Sequence, residues 1–287
     1  RTSTYIGILS EGYEASLPFD VTSSYLYNSR AEDISDNPDP NKIFNSSTKG
    51  NAIQGITSAS HDSNGIAGIC PEALLFSIAT TTLGHGCTSD FAIIRGLTFI
   101  LNKRINDGLI VPVIIWDGQR GCNNRQDDGI RDAIRACQTW DIVIVVPAEE
   151  GRFNTPGQDI DSLTDQFSAI AYADLVVTAI NQEGQMPSTA NWGKNAVDIS
   201  APGESIVASR NTNGIQNVSG TWVAAAHVAG AVALLREATE KRGSEVVQAI
   251  VASAKKLNTH NAKPVKAMGM LDVQAASAYL GTPVSSP

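Results

Sequence analysis

Runs of apolar and β-branched residues recur along the chain at 4–10, 73–80, 109–117, 141–148 and 173–180. Each is short enough for a strand, and none alternates as a half-exposed strand would, so they predict parallel strands buried on both faces. Helical patterns lie between them. Residues 89–106 place Phe91, Ile94, Leu97 and Leu101 on one face, and 127–138 opens with acidic residues suited to a helix N-terminus. Further on, 220–240, 244–254 and 271–280 read as helices, and the first is apolar almost all round, which predicts a central helix inside the protein. Strand alternating with helix predicts an α/β class, a parallel sheet covered on both faces. No repeat, low-complexity stretch or long linker interrupts the pattern, so 1–287 reads as one domain with a loose polar tail at 281–287.

Composition agrees with a packed core. Hydrophobic residues make up 42% of the 287 and charged residues only 17%, which excludes a disordered or solvating chain. The 21 basic residues against 29 acidic ones give a formal charge of −8 without any Lys/Arg-rich run, so neither nucleic acid nor a membrane surface is expected as a partner. No stretch approaches the roughly 18 apolar residues of a membrane span, and the first residues carry no signal-peptide pattern, so the reading is of a soluble protein. Cys70, Cys87, Cys122 and Cys137 lie far apart without a C-x-x-C pair, which gives neither metal-ligand spacing nor a disulfide framework. Asp33, Asp36 and Asp39 before Pro40 read as solvated loop acids, and no calcium-loop pattern is present, so no metal and no other cofactor is expected. The sequons at Asn45 and Asn217 carry weight only in a secreted eukaryotic protein.

The segment Ser219-Gly220-Thr221-Trp222-Val223-Ala224-Ala225-Ala226-His227-Val228-Ala229-Gly230 resembles the G-T-S-M-A-x-P-H-V-A-G signature of the subtilisin-like serine proteases. Supporting fragments follow in the family's order. Gly68-Ile69-Cys70-Pro71-Glu72-Ala73 is similar to its G-V-A-P-x-A, Ala201-Pro202-Gly203 to its A-P-G, and Met268 to Ala276 to its closing G-x-G-x-x-N-x-x-x-A. The resemblance covers nearly the whole chain. It implies the subtilisin-like three-layer α/β/α sandwich, with a mainly parallel sheet around a buried central helix.

Function depends on the site rather than the fold, and the departures from the family pattern fall there. Such a protease needs an Asp to orient a His, a His to take a proton from a Ser, and an Asn amide to hold the oxyanion. The resemblance aligns these four positions with Ser10, Lys49, Trp222 and Glu149. A hydroxyl cannot stabilise an imidazolium as a carboxylate does, an ammonium group is no general base, and an indole has no nucleophilic atom. An ionised Glu149 would repel the charge that develops on the carbonyl oxygen. Loss of one oxyanion donor alone costs about 2.7–4 kcal/mol, and loss of the Ser or His costs roughly 10⁶-fold in rate. Because Asn51, Gln54 and Val223 drift as well, the sequence predicts a natural pseudoprotease with no catalytic residue at the family positions.

Peptide binding can outlive catalysis. His85, between Gly84 and Gly86, resembles one strand edge that pairs with substrate backbone in the family, and Trp116-Asp117-Gly118 the opposite edge. The two would sandwich an extended peptide by main-chain hydrogen bonds. With Asp117 and Glu149 near the cleft, a peptide or protein ligand carrying Lys or Arg is the expected partner, alongside an active enzyme of the same pathway. Trp222 reads as a cavity plug or as a platform for a bound side chain. Lys49 and Glu149 are expected to form an ion pair that seals the old site; acids such as Glu11 and Glu150 read as solvated, His61 as a loop residue and His227 as a core residue. Two alternatives remain: an enzyme refitted around Lys49, Glu149 and Ser10 for non-proteolytic chemistry on a peptide, and residual serine peptidase activity.

Overall fold

A computed structural model describes residues 3–10, 32–33, 49–61, 65–80, 90–117, 127–151, 155–162, 170–210 and 214–281. In chain order the elements are β1 (Thr4–Ser10), β2 (Glu32–Asp33), α1 (Lys49–Ser58), β3 (Leu74–Ala79), α2 (Asp90–Asn106), β4 (Ile110–Trp116), α3 (Asp127–Thr139), β5 (Val143–Pro147), β6 (Leu175–Ile180), β7 (Ile199–Pro202), β8 (Ile206–Arg210), β9 (Gly214–Val218), α4 (Thr221–Thr239), α5 (Gly243–Ala252), β10 (Lys255–Lys256), β11 (Gly269–Met270) and α6 (Val273–Tyr279). Among the described residues nine strands form one sheet in the order β10-β11-β7-β6-β5-β4-β1-β3-β2, and β8 with β9 form a separate hairpin. Every pairing in the large sheet is parallel except β10 with β11.

The five predicted strands and five predicted helices are present, with ends within two residues of the expected ones. Alternate residues of each strand face opposite layers. Ile6, Ile8, Val113, Ile115, Val143, Val145, Leu175 and Val177 join one core with α1 and α4, while Leu9, Ile78, Ile114, Ile144 and Val146 join the other with α2 and α3. The central helix α4 lies buried along most of its length, as its apolar circumference demands. Its alanines keep it slim enough to fit between the sheet and α1, α5 and α6. On the opposite face α2 comes so close to β1 that a Cβ on Gly7 would stand 2.6 Å from Ile100 Cδ1.

Two sequence expectations change. The buried face of α2 runs through Ala92, Ile93, Gly96, Leu97, Ile100 and Leu101, whereas Phe91 is 50% exposed. The true stripe passes through Gly96, which an apolar count leaves out. Helix α1 and the strands β2, β7, β8, β9, β10 and β11 were not anticipated. In α1 the polar Asn51, Gln54, Thr57 and Ser58 are all buried, so no amphipathic stripe announces it. The polarity of two of them is satisfied inside: Gln54 Nε2 donates to Ser77 Oγ at 2.8 Å, and Thr57 Oγ1 donates to Ile53 O at 2.8 Å.

The C-terminal end of α4 is clamped by Asp141, which has a left-handed backbone at φ 61° just before β5. Its carboxylate accepts from Arg236 Nη1 at 2.6 Å and from the Gly243 N–H at 2.8 Å, joining the end of α4 and the start of α5 to the sheet. The Arg236 cation also sits at the negative end of α4. Asp141→Asn tolerates the same backbone but removes the charge, so it is expected to lower the unfolding free energy by about 1–3 kcal/mol. Urea denaturation checks this; an unchanged midpoint would show that the clamp contributes nothing.

Candidate functional site

The connections of the sheet reverse direction at β1, since β3 lies on one side of it and β4 on the other. In open parallel sheets the crevice outside the carboxyl ends of two such strands is where ligands bind. Ser10 ends β1 and Asp117 follows β4. The Asp117 N–H donates to Leu9 O at 3.0 Å, which continues the parallel register, and the Thr80 N–H holds Ser10 O at 2.9 Å. Ser10 Oγ donates to Asp117 Oδ2 at 2.9 Å, and both residues are buried.

Lys49, the first residue of α1, brings its ammonium group to the same oxygen, 3.7 Å from Asp117 Oδ2. The Asp117 side chain is fully shielded from solvent and that of Lys49 is 17% exposed. At this distance the contact is an ion pair rather than a hydrogen bond. The same Nζ stands 5.6 Å from the centre of the Trp222 ring, within cation–π range. Asp117, Ser10, Lys49 and Trp222 therefore form one contiguous cluster. A carboxylate that meets Lys49 is that of Asp117, which the sequence reading places in the groove.

Trp222 lies in the first turn of α4, behind Gly220, which has no side chain to cap the helix. The cap comes from elsewhere: the Thr221 N–H donates to Glu150 Oε1, so a carboxylate occupies the positive end of the central helix. Gly220 adopts φ 147°, and a Cβ there would lie 2.5 Å from Trp222 Nε1 and 3.2 Å from Glu150 Oε1. Only glycine fits between them. Glu149 has a left-handed backbone at φ 61°, and its carbonyl accepts from the Asn191 N–H at 3.1 Å. That turn allows the next residue, Glu150, to reach α4. Glu150 is therefore a helix-capping group and not the solvated acid expected from sequence.

Beside the cap lies a cavity of about 360 Å³ whose described lining includes Glu150, Glu204, Thr189, Ser219, Pro187 and Trp222. Thus Trp222 borders both the Lys49 cluster and this cavity. Of the groove residues expected from sequence, Trp116 and Asp117 are 1% and 2% exposed, with the Trp116 indole packed into the α2–α3 core. Gly84, His85, Gly86 and Gly118 lie outside the described residues, as do Glu11, Cys87 and Cys122. Cys70 and Cys137 are free and buried, and burial pushes both thiols up to about 12. No group of three metal-ligating side chains occurs among the described residues. No helix among them is long and apolar enough to cross a membrane.

The described histidines are placed elsewhere. His61 Nε2 lies 2.8 Å from Gly68 O, closing its own loop, and His227 Nδ1 lies 2.9 Å from Val223 O within α4. His260 Nε2 is 2.9 Å from Ser200 Oγ, and both residues have no solvent exposure. Ser200 donates its only hydroxyl hydrogen to Gly269 O at 3.0 Å, so His260 is the donor in the pair. This polarity is the reverse of a base that activates a serine.

The subtilase family (peptidase S8) matches residues 2–270. The chain is 25% identical over 195 residues to the major intracellular serine protease of Bacillus subtilis, covering 67% of this chain and 56% of that protein. It is 26% identical over 235 residues to an intracellular serine protease of Paenibacillus polymyxa, covering 81% and 66%. It thus spans between about half and two thirds of these curated relatives. Among solved structures, the prenylagaramide maturation protease PagA superposes with a TM-score of 0.70 at 20% identity, over 97% of this chain and 94% of that one. The subtilase cytotoxin SubAB structure gives 0.73 at 17% identity, over 98% and 91%. The sandwich described above is therefore the subtilisin-like fold.

Burial pushes the imidazoles of His227 and His260 below their ordinary range, in His227 against a smaller upward pull from Val223 O. An imidazole held neutral in the fold contributes stability above its unfolded value of about 6.5, and that contribution is lost as the pH falls. The unfolding free energy is expected to decrease from pH 7 toward pH 5.5, with a shallower slope in His260→Gln. Denaturant titrations across this range check it, and a flat profile for the unmodified chain would contradict the assignment.

Proposed function

This chain belongs to the subtilase family, and within it we propose a proteolytically inactive member that recognises a peptide or protein ligand at the former substrate cleft. The observation that carries the reading is Trp222 in the first turn of α4, with the Lys49 ammonium over its ring. Acyl transfer needs an alcohol beside an imidazole at that place, and a donor for the oxyanion. Here the helix end that would serve an oxyanion already holds the Glu150 carboxylate. Recognition needs none of these groups, because an extended peptide binds through main-chain hydrogen bonds and side-chain pockets.

A second reading draws on a specific contact: Ser10 and Lys49 meet at one Asp117 oxygen, as a refitted enzyme built on Ser10, Lys49 and Glu149 would require in part. Against it, Ser10 is fully buried and its hydrogen is directed at a carboxylate.

A serine-directed fluorophosphonate separates these readings from residual proteolysis. The expected result is no labelled serine and no peptide cleavage, together with salt-sensitive binding of Lys- or Arg-containing peptides; labelling of any serine overturns inactivity. Lys49→Ala separates the first two. Removing an ammonium from beside a buried carboxylate is expected to cost on the order of 3 kcal/mol of stability, measured by urea denaturation. Under the refitted-enzyme reading the same variant in addition loses a catalytic activity on peptides.

A further inference from the structure

Among the described residues, the cavity beside Trp222 has an electrostatic imbalance. Two carboxylates, Glu150 and Glu204, line it, and no lysine or arginine is among its described lining residues. The nearby ammonium of Lys49 is directed to Asp117 instead. Glu150 receives one backbone N–H at the positive end of α4, which supplies a partial charge rather than a whole one. Neither Glu150 nor Glu204 has an ion pair with a cation among the described residues. Of the other lining residues Thr189 and Ser219 carry hydroxyls, Ala179, Pro187 and Ala190 are apolar, and the Trp222 indole is the aromatic component. At about 360 Å³ the cavity has room for one long side chain.

We infer that this cavity binds a single alkylammonium or guanidinium group, with its aliphatic stem against Ala179, Pro187 and Ala190 and its charge between Glu150, Glu204 and the Trp222 ring. A cation there gains two carboxylates and an aromatic face at once, in a recess where water screens less than at an open surface. An acidic group would meet two like charges, and a neutral apolar one would leave both carboxylates partly desolvated without compensation. The inference rests on the recognition reading only for the source of the cation, a lysine or arginine of a bound peptide as against a free diamine.

Isothermal titration calorimetry at low salt tests it with Nα-acetyl-lysine methylamide, its norleucine counterpart, putrescine, and an alanine pentapeptide carrying either lysine or norleucine at its centre. The lysine compounds are expected to bind at least about tenfold more tightly than the norleucine ones, and Glu204→Gln to weaken them by about fivefold or more. Equal affinity for lysine and norleucine, or an unchanged affinity in Glu204→Gln, overturns the cation site. Glu150→Gln is a second probe, checked first by thermal unfolding because this residue caps α4; if it unfolds, Glu204→Gln decides. A pentapeptide bound equally well with either central residue removes the cavity's role and leaves peptide recognition standing. Binding of acetyl-lysine methylamide and putrescine without the pentapeptide keeps the cavity and defeats the peptide reading.

Discussion

The Asp117 carboxylate fixes the geometry of the cleft. It sits at the end of β4, where the sheet reverses its connections, and collects Ser10 from β1 and Lys49 from α1 at a single oxygen. A buried carboxylate in a low-dielectric site requires such partners, because an unpaired charge there costs several kcal/mol. Satisfying it draws α1 toward the strand ends and places the Lys49 cation against Trp222. The indole is thereby fixed on one side by a charge and on the other by the lack of a side chain at Gly220. The constraint is local, yet it joins four elements.

The amino end of α4 carries a second compensation. A long buried helix has unsatisfied N–H groups at its start, and Gly220 offers no side chain to meet them. Glu150 does so from a distance, because the left-handed turn at Glu149 sends the chain back toward the helix. Trp222 then separates two environments of opposite character, one holding Lys49 and the other bounded by Glu150 and Glu204.

Much of the fold was legible in the chain, and the reasons are specific. Strand β5 and all of β4 but its first residue are buried, so continuous apolar runs betray them, and the apolar circumference of 220–240 reveals the central helix. Helix α1 was hidden because Gln54 and Thr57 are buried and pair internally, which no periodicity records. At the site, the resemblance pointed to Ser10, Lys49, Trp222 and Glu149, and the structure brings the first three together with Asp117. Asp117 meets Lys49 as a counter-ion and Glu150 reaches the helix end, neither of which spacing along the chain records. The neighbourhood of Glu204, Thr189 and Pro187 arises only from packing between β6, β7 and the start of α4, and so had no sequence signal. The side chain of Trp116 turns inward because β4 alternates, and Trp116 shares a face with Ile114.

The ends of the sheet have a bearing on how the molecule behaves among its own copies. Among the described residues, strands β2 and β10 stand at the two margins and are two residues each. An unpaired margin is a template on which another chain can assemble, and templates of this length offer too few backbone groups to hold a stranger. On β10 both residues are exposed lysines, so a second identical margin brought alongside meets like charge. On the β10 side, a border this short and like-charged gives the sheet little tendency to extend itself into fibrous aggregates.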